Sequence, residues 1–194
     1  MGLAETKYSQ QIEDMMMTKI FNWLLTVSLL LTYSNLVKAD EIARFTLPSG
    51  VKVEIIEAPF LKKNFKLKGC SSQEPVCEIN GNLPYGSDLE LPKTFVKSIR
   101  VSISDKSYTL DSRDMYNAWG KRPLEYKQKG KVRYFGGNCY DKLNCQFRGM
   151  FSDAAGSFVA EWKIVQGTPS RTVLTNSSDI IHLFMENIDP PVFE

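Results

Sequence analysis

Hydrophobic and polar positions alternate one for one through much of this chain. The alternation starts in "RFTLPSGVKVEII", where Val51, Val53 and Ile55 share one face against Lys52 and Glu54, and Pro48-Ser49-Gly50 marks a turn. That pattern predicts a β-hairpin. "FVKSIRVSI" repeats the period, with Phe95, Ile99, Val101 and Ile103 assigned inward and Val96, Ser98, Arg100 and Ser102 outward; Lys97 breaks the inward face. "SDKSYTL" reads as a turn and a return strand carrying Tyr108 and Leu110. "KVRYFGGNC" and "CQFRGMF" read as two strands joined by residues 140–144, and the glycine pair of the first as a bulge or bend. "GSFVAEWKIV" places Phe158, Ala160, Trp162 and Ile164 on one face, and a turn over 166–170 leads into "RTVLT". About eight strands with turn signals between them predict a mainly β fold, an antiparallel β-sandwich or open barrel.

Two stretches change period. "DSRDMYNAW" predicts a short helix, capped by Asp111 or Ser112 and ended by Gly120. "SSDIIHLFMENI" predicts a longer one: Ser177 or Ser178 caps it, and Ile180, Ile181, Phe184 and Ile188 form its apolar stripe. Pro190 and Pro191 stop it, and its expected place is packed on the sheet.

The N-terminal region follows other rules. "MMMTKIFNWLLTVSLLLTYSNLVKADE" starts at Met15 with one lysine, runs apolar over 20–33, and ends in Val37-Lys38-Ala39 before an acidic pair. That order is the layout of a secretory signal peptide, with cleavage expected after Ala39. A bilayer core takes about 20 apolar residues to span, more than this run supplies, so no stable membrane insertion is expected after cleavage. Residues 1–14 carry three acids, which is foreign to a signal n-region, so the expected start is Met15, Met16 or Met17. Residues 1–39 are thus read as extension and signal, and 40–194 as a single β-rich domain in the periplasm or outside the cell. The formal charge of +2 gives no ground for a nucleic-acid partner.

All four cysteines follow the signal, in the close pairs "CSSQEPVC" and "CYDKLNC". Four cysteines allow three connectivities. The local one, Cys70–Cys77 and Cys139–Cys145, closes short loops between strand ends and is the expected pairing. Structural zinc sites space their cysteines more tightly, and the chain has one histidine, so neither a metal nor a cofactor is expected.

Little else points to catalysis. His182 falls beside the helix stripe with Asp179 and Glu186 at helical spacing, and the chain holds no nucleophile elbow, zinc-protease motif or phosphate loop. Asp111 and Asp114, three apart, are the acids open to a hydrolytic reading. The richest segment is 114–140, where tyrosines and tryptophan are interleaved with lysines and arginines. Aromatic and arginine side chains are the usual anchors of protein interfaces. The expected partner-binding residues are Tyr116, Trp119, Arg122, Tyr140 and Arg148, meeting another protein, an acidic-surfaced enzyme or toxin. In size, compartment and architecture the chain is similar to small disulfide-stapled exported β proteins of bacteria, among them periplasmic lysozyme inhibitors and immunity proteins. That likeness implies an inhibitor or immunity role. The alternatives are a small hydrolase of envelope polymers or a structural envelope protein.

Overall fold

A computed structural model describes residues 39–70, 77–87, 90–118, 127–128, 131–132, 134–152 and 154–190. The chain divides into two units, Met1–Lys38 and Ala39–Glu194, and every described residue belongs to the second. The expected signal segment, Trp119 and Arg122 lie outside the described residues.

The fold is mainly β. Two four-stranded antiparallel sheets face each other. The first has the order β1 (Glu41–Thr46), β2 (Lys52–Pro59), β5 (Thr94–Ile103), β6 (Lys106–Leu110). The second runs β12 (Thr168–Thr175), β11 (Phe158–Val165), β10 (Asn144–Phe151), β9 (Phe135–Asp141). Two short ribbons, β3 (Leu67–Gly69) with β4 (Cys77–Ile79) and β7 (Lys127–Gln128) with β8 (Lys131–Val132), sit in the connections. Among the described residues one α-helix, α1 (Ser178–Glu186), follows β12.

The core lies between the sheets and follows the alternation. Val53, Ile55, Ile99 and Val101 of the first sheet meet Phe135, Phe147, Phe151 and Trp162 of the second. Trp162 is the hub: its ring stacks 6.0 Å from Phe135 and stands edge-on to Phe151 at 6.2 Å. Its indole N–H is satisfied by the Asp111 carbonyl at 2.8 Å, as a buried donor must be. The hairpin turns obey their residues. Gly50 takes φ +81° between β1 and β2, and Gln166-Gly167 closes β11 onto β12 with φ of 50° and 78°, both left-handed as a tight hairpin turn requires.

Three expectations are corrected. The segment 111–118 is not a helix: Asp114 and Asn117 take φ of 64° and 43°, and Met115 and Tyr116 make single bridges to Tyr85 and Phe95. Asp111 does cap, but it caps a turn, accepting the Arg113 N–H at 3.0 Å. Second, Val96 faces inward and is buried, because the β2–β5 register slips at Ile56/Glu57 and leaves Lys97 as the extra residue of a bulge. The alternation reverses there, which is what Lys97 was signalling. Third, the glycine pair makes no bulge; Gly136 and Gly137 sit in regular register opposite Arg148 and Phe147. A Cβ on Gly137 collides with the Phe147 ring, and one on Gly136 meets the Ile188 carbonyl at 2.5 Å. Both faces of β9 are approached too closely for any side chain.

α1 packs on the outer face of the second sheet with Phe184 buried. Ser177 occupies the cap position without a side-chain cap bond. The chain beyond the helix is tied down along the same face: Arg148 donates to the Asn187 carbonyl at 3.1 Å and Asn138 to the Pro190 carbonyl at 2.7 Å.

Candidate functional site

Both disulfides form with the local pairing, Cys70–Cys77 and Cys139–Cys145. Bonded cysteines belong to an oxidising, exported environment. The second bond joins β9 to β10 directly across the ladder, where Cys139 and Cys145 are register partners. Beyond it the hairpin tip is braced from several sides. The Asp141 carboxylate accepts the N–H groups of Leu143 and Asn144 at 2.7 and 2.8 Å and the Asn144 amide at 2.9 Å. The Asn144 side chain, with those backbone donors, holds Asp141 below the usual carboxylate range. Tyr108 donates to the Lys142 carbonyl at 2.8 Å, and the β11–β12 turn donates through Gly167 N–H to the Leu143 carbonyl at 2.8 Å.

This rigid tip carries Tyr140, which is 88% exposed. Leu143 (39%) and Val165 (57%) are exposed near it. A groove of about 320 Å³ opens alongside, lined by Asn138, Tyr140, Gln146, Lys163, Val165 and Pro190 among others. Single exposed apolar residues are ordinary, but Tyr140 and Val165 line one groove beside the staple and can lose water together. Of the expected partner-binding residues that are described, Tyr116, Tyr140 and Arg148, Tyr140 is the one so presented. Leu143 and Val165 were not expected. Val165 had a sequence signal: it shares its parity with Glu161 and Lys163, the outward face of β11, where an apolar residue is out of place.

Tyr116 and Arg148 are placed elsewhere. Tyr116 is 4% exposed and packs against Phe60 at 5.9 Å in a second, smaller core cluster. Arg148 lies under α1. It pairs with Glu161 at 2.8 Å, with side chains 13% and 10% exposed, and its guanidinium stands 4.9 Å above the Phe184 ring. Burial pushes the Glu161 carboxyl up, but hydrogen bonds from Arg148, Gln146 and Thr172 outweigh it and the net shift is downward. Arg148 therefore docks the helix rather than facing solvent.

The sequence matches no family model, and no curated protein and no solved structure matches it. The site has to be read from its own geometry.

The hydrolytic alternative finds little in that geometry. Asp111 and Asp114 do converge, but on a cation: Arg171 stands 3.7 Å from the Asp111 carboxylate and 4.0 Å from that of Asp114. Arg113 makes a two-point bond to Asp111 and is the main reason its carboxyl is held below the usual range. A general acid for glycoside cleavage needs the opposite shift. His182 faces solvent, with Nδ1 2.7 Å from the Ser178 carbonyl of its own helix, and no carboxylate among the described residues bonds to it. Among the described residues no group of three His, Cys, Asp or Glu side chains is placed to hold a metal, and no helix is long and apolar enough to cross a membrane.

Proposed function

We propose that this chain is an exported binding protein of the inhibitor or immunity type, which holds a partner protein through the stapled β9–β10 hairpin. The observation that carries the reading is Tyr140, fully presented on a hairpin tip fixed by a disulfide and by bonds to two neighbouring turns. A preformed tip loses little freedom on binding, so its contacts yield more net affinity. Tyr140 supplies an aromatic anchor, Leu143 and Val165 supply apolar area, and exposed Lys163 speeds encounter with an acidic partner. The partner is an enzyme or toxin met in the periplasm or outside the cell, after the signal has been removed behind Ala39.

The test is a pull-down from envelope extract with wild type and with Tyr140→Ala plus Val165→Ser. Both sites are exposed, so the variant keeps its fold. Truncating an aromatic hot spot costs about 2 kcal/mol or more, a loss of roughly thirtyfold or more in affinity. A specific partner retained at full strength by the variant refutes the surface. Hydrolysis of envelope polymers by the pure protein, abolished by Asp114→Asn, replaces the binding reading with the enzymatic one.

A further inference from the structure

A second cleft, distinct from the hairpin groove, opens where the β3–β4 ribbon, the start of β5 and the 112–116 loop meet. It measures about 320 Å³, the small end of ligand sites. Its floor is aromatic. Half-buried Phe65 and Phe95 stand edge-on to each other at 5.3 Å, and Tyr116 adjoins Phe65 at 6.4 Å.

Its rim is made of short, planar polar side chains with hydrogen-bonding capacity to spare. Asn82 directs its amide N–H at the Asp114 carboxylate, at 3.2 and 3.3 Å to the two oxygens, which leaves its carbonyl as an acceptor. Asn80 uses its carbonyl to accept the Lys66 N–H at 3.0 Å, which leaves its amide as a donor. Asp114 is held in its left-handed conformation, and its backbone carbonyl is occupied by the Tyr85 N–H at 3.0 Å. The most telling group is Tyr116. The residue is 4% exposed and lines the cleft, yet among the described residues its hydroxyl has no hydrogen-bond partner. Buried hydroxyls are normally paired. Burial first, and then the nearby Asp114 charge, push its pKa up to about 12, so it stays a neutral donor at physiological pH.

The charges at the edge are already used. Lys97 is paired with Asp40 at 2.7 Å and Arg113 with Asp111 at 2.8 Å. An anion would meet the Asp114 carboxylate, and a purely apolar ligand would strip water from Asp114 and Asn82 without replacing it. What remains is a ring with an apolar face for the phenylalanines and hydroxyls around its rim.

We propose that this cleft binds a carbohydrate, with one neutral pyranose ring seated on Phe65 and Phe95 and its hydroxyls held by Asp114, Asn82, Asn80 and Tyr116. The C–H face of the sugar meets the aromatic floor. Asp114 and the Asn82 carbonyl accept from hydroxyls, while the Asn80 amide and the Tyr116 hydroxyl donate to them. The site is independent of the hairpin surface.

The experiment is saturation-transfer NMR on the exported chain with a panel of methyl glycosides of neutral hexoses and N-acetylhexosamines. At least one glycoside is expected to receive saturation at its ring C–H protons, with millimolar affinity. Asn82→Ala should weaken it about tenfold, the effect of one well-placed hydrogen bond. Tyr116→Phe is the sharper variant: it removes one oxygen that no group among the described residues uses, so the thermal midpoint should hold or rise while sugar affinity falls several-fold. Tyr140→Ala should leave sugar binding unchanged. The proposal is overturned if no glycoside receives saturation, or if either Asn82→Ala or Tyr116→Phe binds as tightly as wild type.

Discussion

Replacing Arg148 by methionine tests how the helix is held to the sheet. Met keeps much of the aliphatic volume and removes the charge. Glu161 is then left under α1 with hydrogen bonds from Thr172 at 3.0 Å and from Gln146, and no counter-ion. Breaking one partner of a buried pair costs about 3–5 kcal/mol. The surviving hydrogen bonds and the residual exposure of about a tenth lower that to about 2–3 kcal/mol. Loss of the cation over Phe184 adds about 0.5–1 kcal/mol. The expected total is about 3 kcal/mol at pH 7, a fall of about 6–12 °C in Tm for a domain of this size. The loss should depend on pH in a stated direction. In the wild type the folded Glu161 pKa lies below the unfolded value of about 4.3. Its contribution is therefore complete above that value and declines as pH falls through the folded pKa. In the variant burial is opposed only by the Gln146 and Thr172 hydrogen bonds, so the folded pKa rises above its wild-type position, and the penalty is largest at neutral pH and shrinks as Glu161 takes up a proton in acid. The gap between the two proteins should narrow from pH 7 to pH 4. Thermal unfolding followed by far-UV circular dichroism, with disulfides intact, measures it, and Glu161→Gln in the Arg148→Met background should recover about half of the loss. A fall under about 2 °C, or a gap that is the same at both pH values, refutes the view that this pair docks the helix.

Non-reducing peptide mapping should recover Cys70 linked to Cys77 and Cys139 linked to Cys145, and each bond should contribute about 2–3 kcal/mol by chain entropy, lost on reduction; a peptide joining the 70s to the 140s would contradict the topology. Gly86→Ala should cost about 3 kcal/mol or more, because Gly86 takes φ +91° and the new Cβ collides with the Tyr116 carbonyl and stands 2.9 Å from Phe158; a urea midpoint within error of wild type would show that the loop adjusts freely. Trp162→Phe should lower stability by about 2–4 kcal/mol, through lost core volume and the orphaned Asp111 carbonyl, and a neutral result in the same urea titration would mean that another donor reaches that carbonyl. Intact mass of the exported protein should place its first residue at Asp40; retention of residues 20–33 would contradict cleavage.

Strand positions were legible in the sequence because a strand's side chains alternate by backbone geometry alone. The inward sets of β2 and β11 are those the alternation assigned, down to Phe158, Ala160, Trp162 and Ile164. The disulfide pairing was legible too, since a six- or seven-residue separation between strand ends brings the sulfurs together whatever the rest of the chain does. Tyr140, which no pattern of burial claims, stands exposed on its hairpin tip. Other features depend on partners distant in sequence. Lys97 announced an irregularity, but only pairing with β2 made it a bulge and turned Val96 inward. Arg148 and Glu161 shared an outward parity that reads as solvent-facing; the docking of α1 over that face turned them into a covered ion pair. "DSRDMYNAW" had a cap and helical spacing, yet turns at Asp114 and Asn117 and bridges from Met115 and Tyr116 to Tyr85 and Phe95 replace a helix over 111–118 and take Tyr116 into an aromatic cluster that the ribbon completes. Period and proximity are local properties of the chain. Which face meets water is settled by what else packs there, and that belongs to the folded molecule.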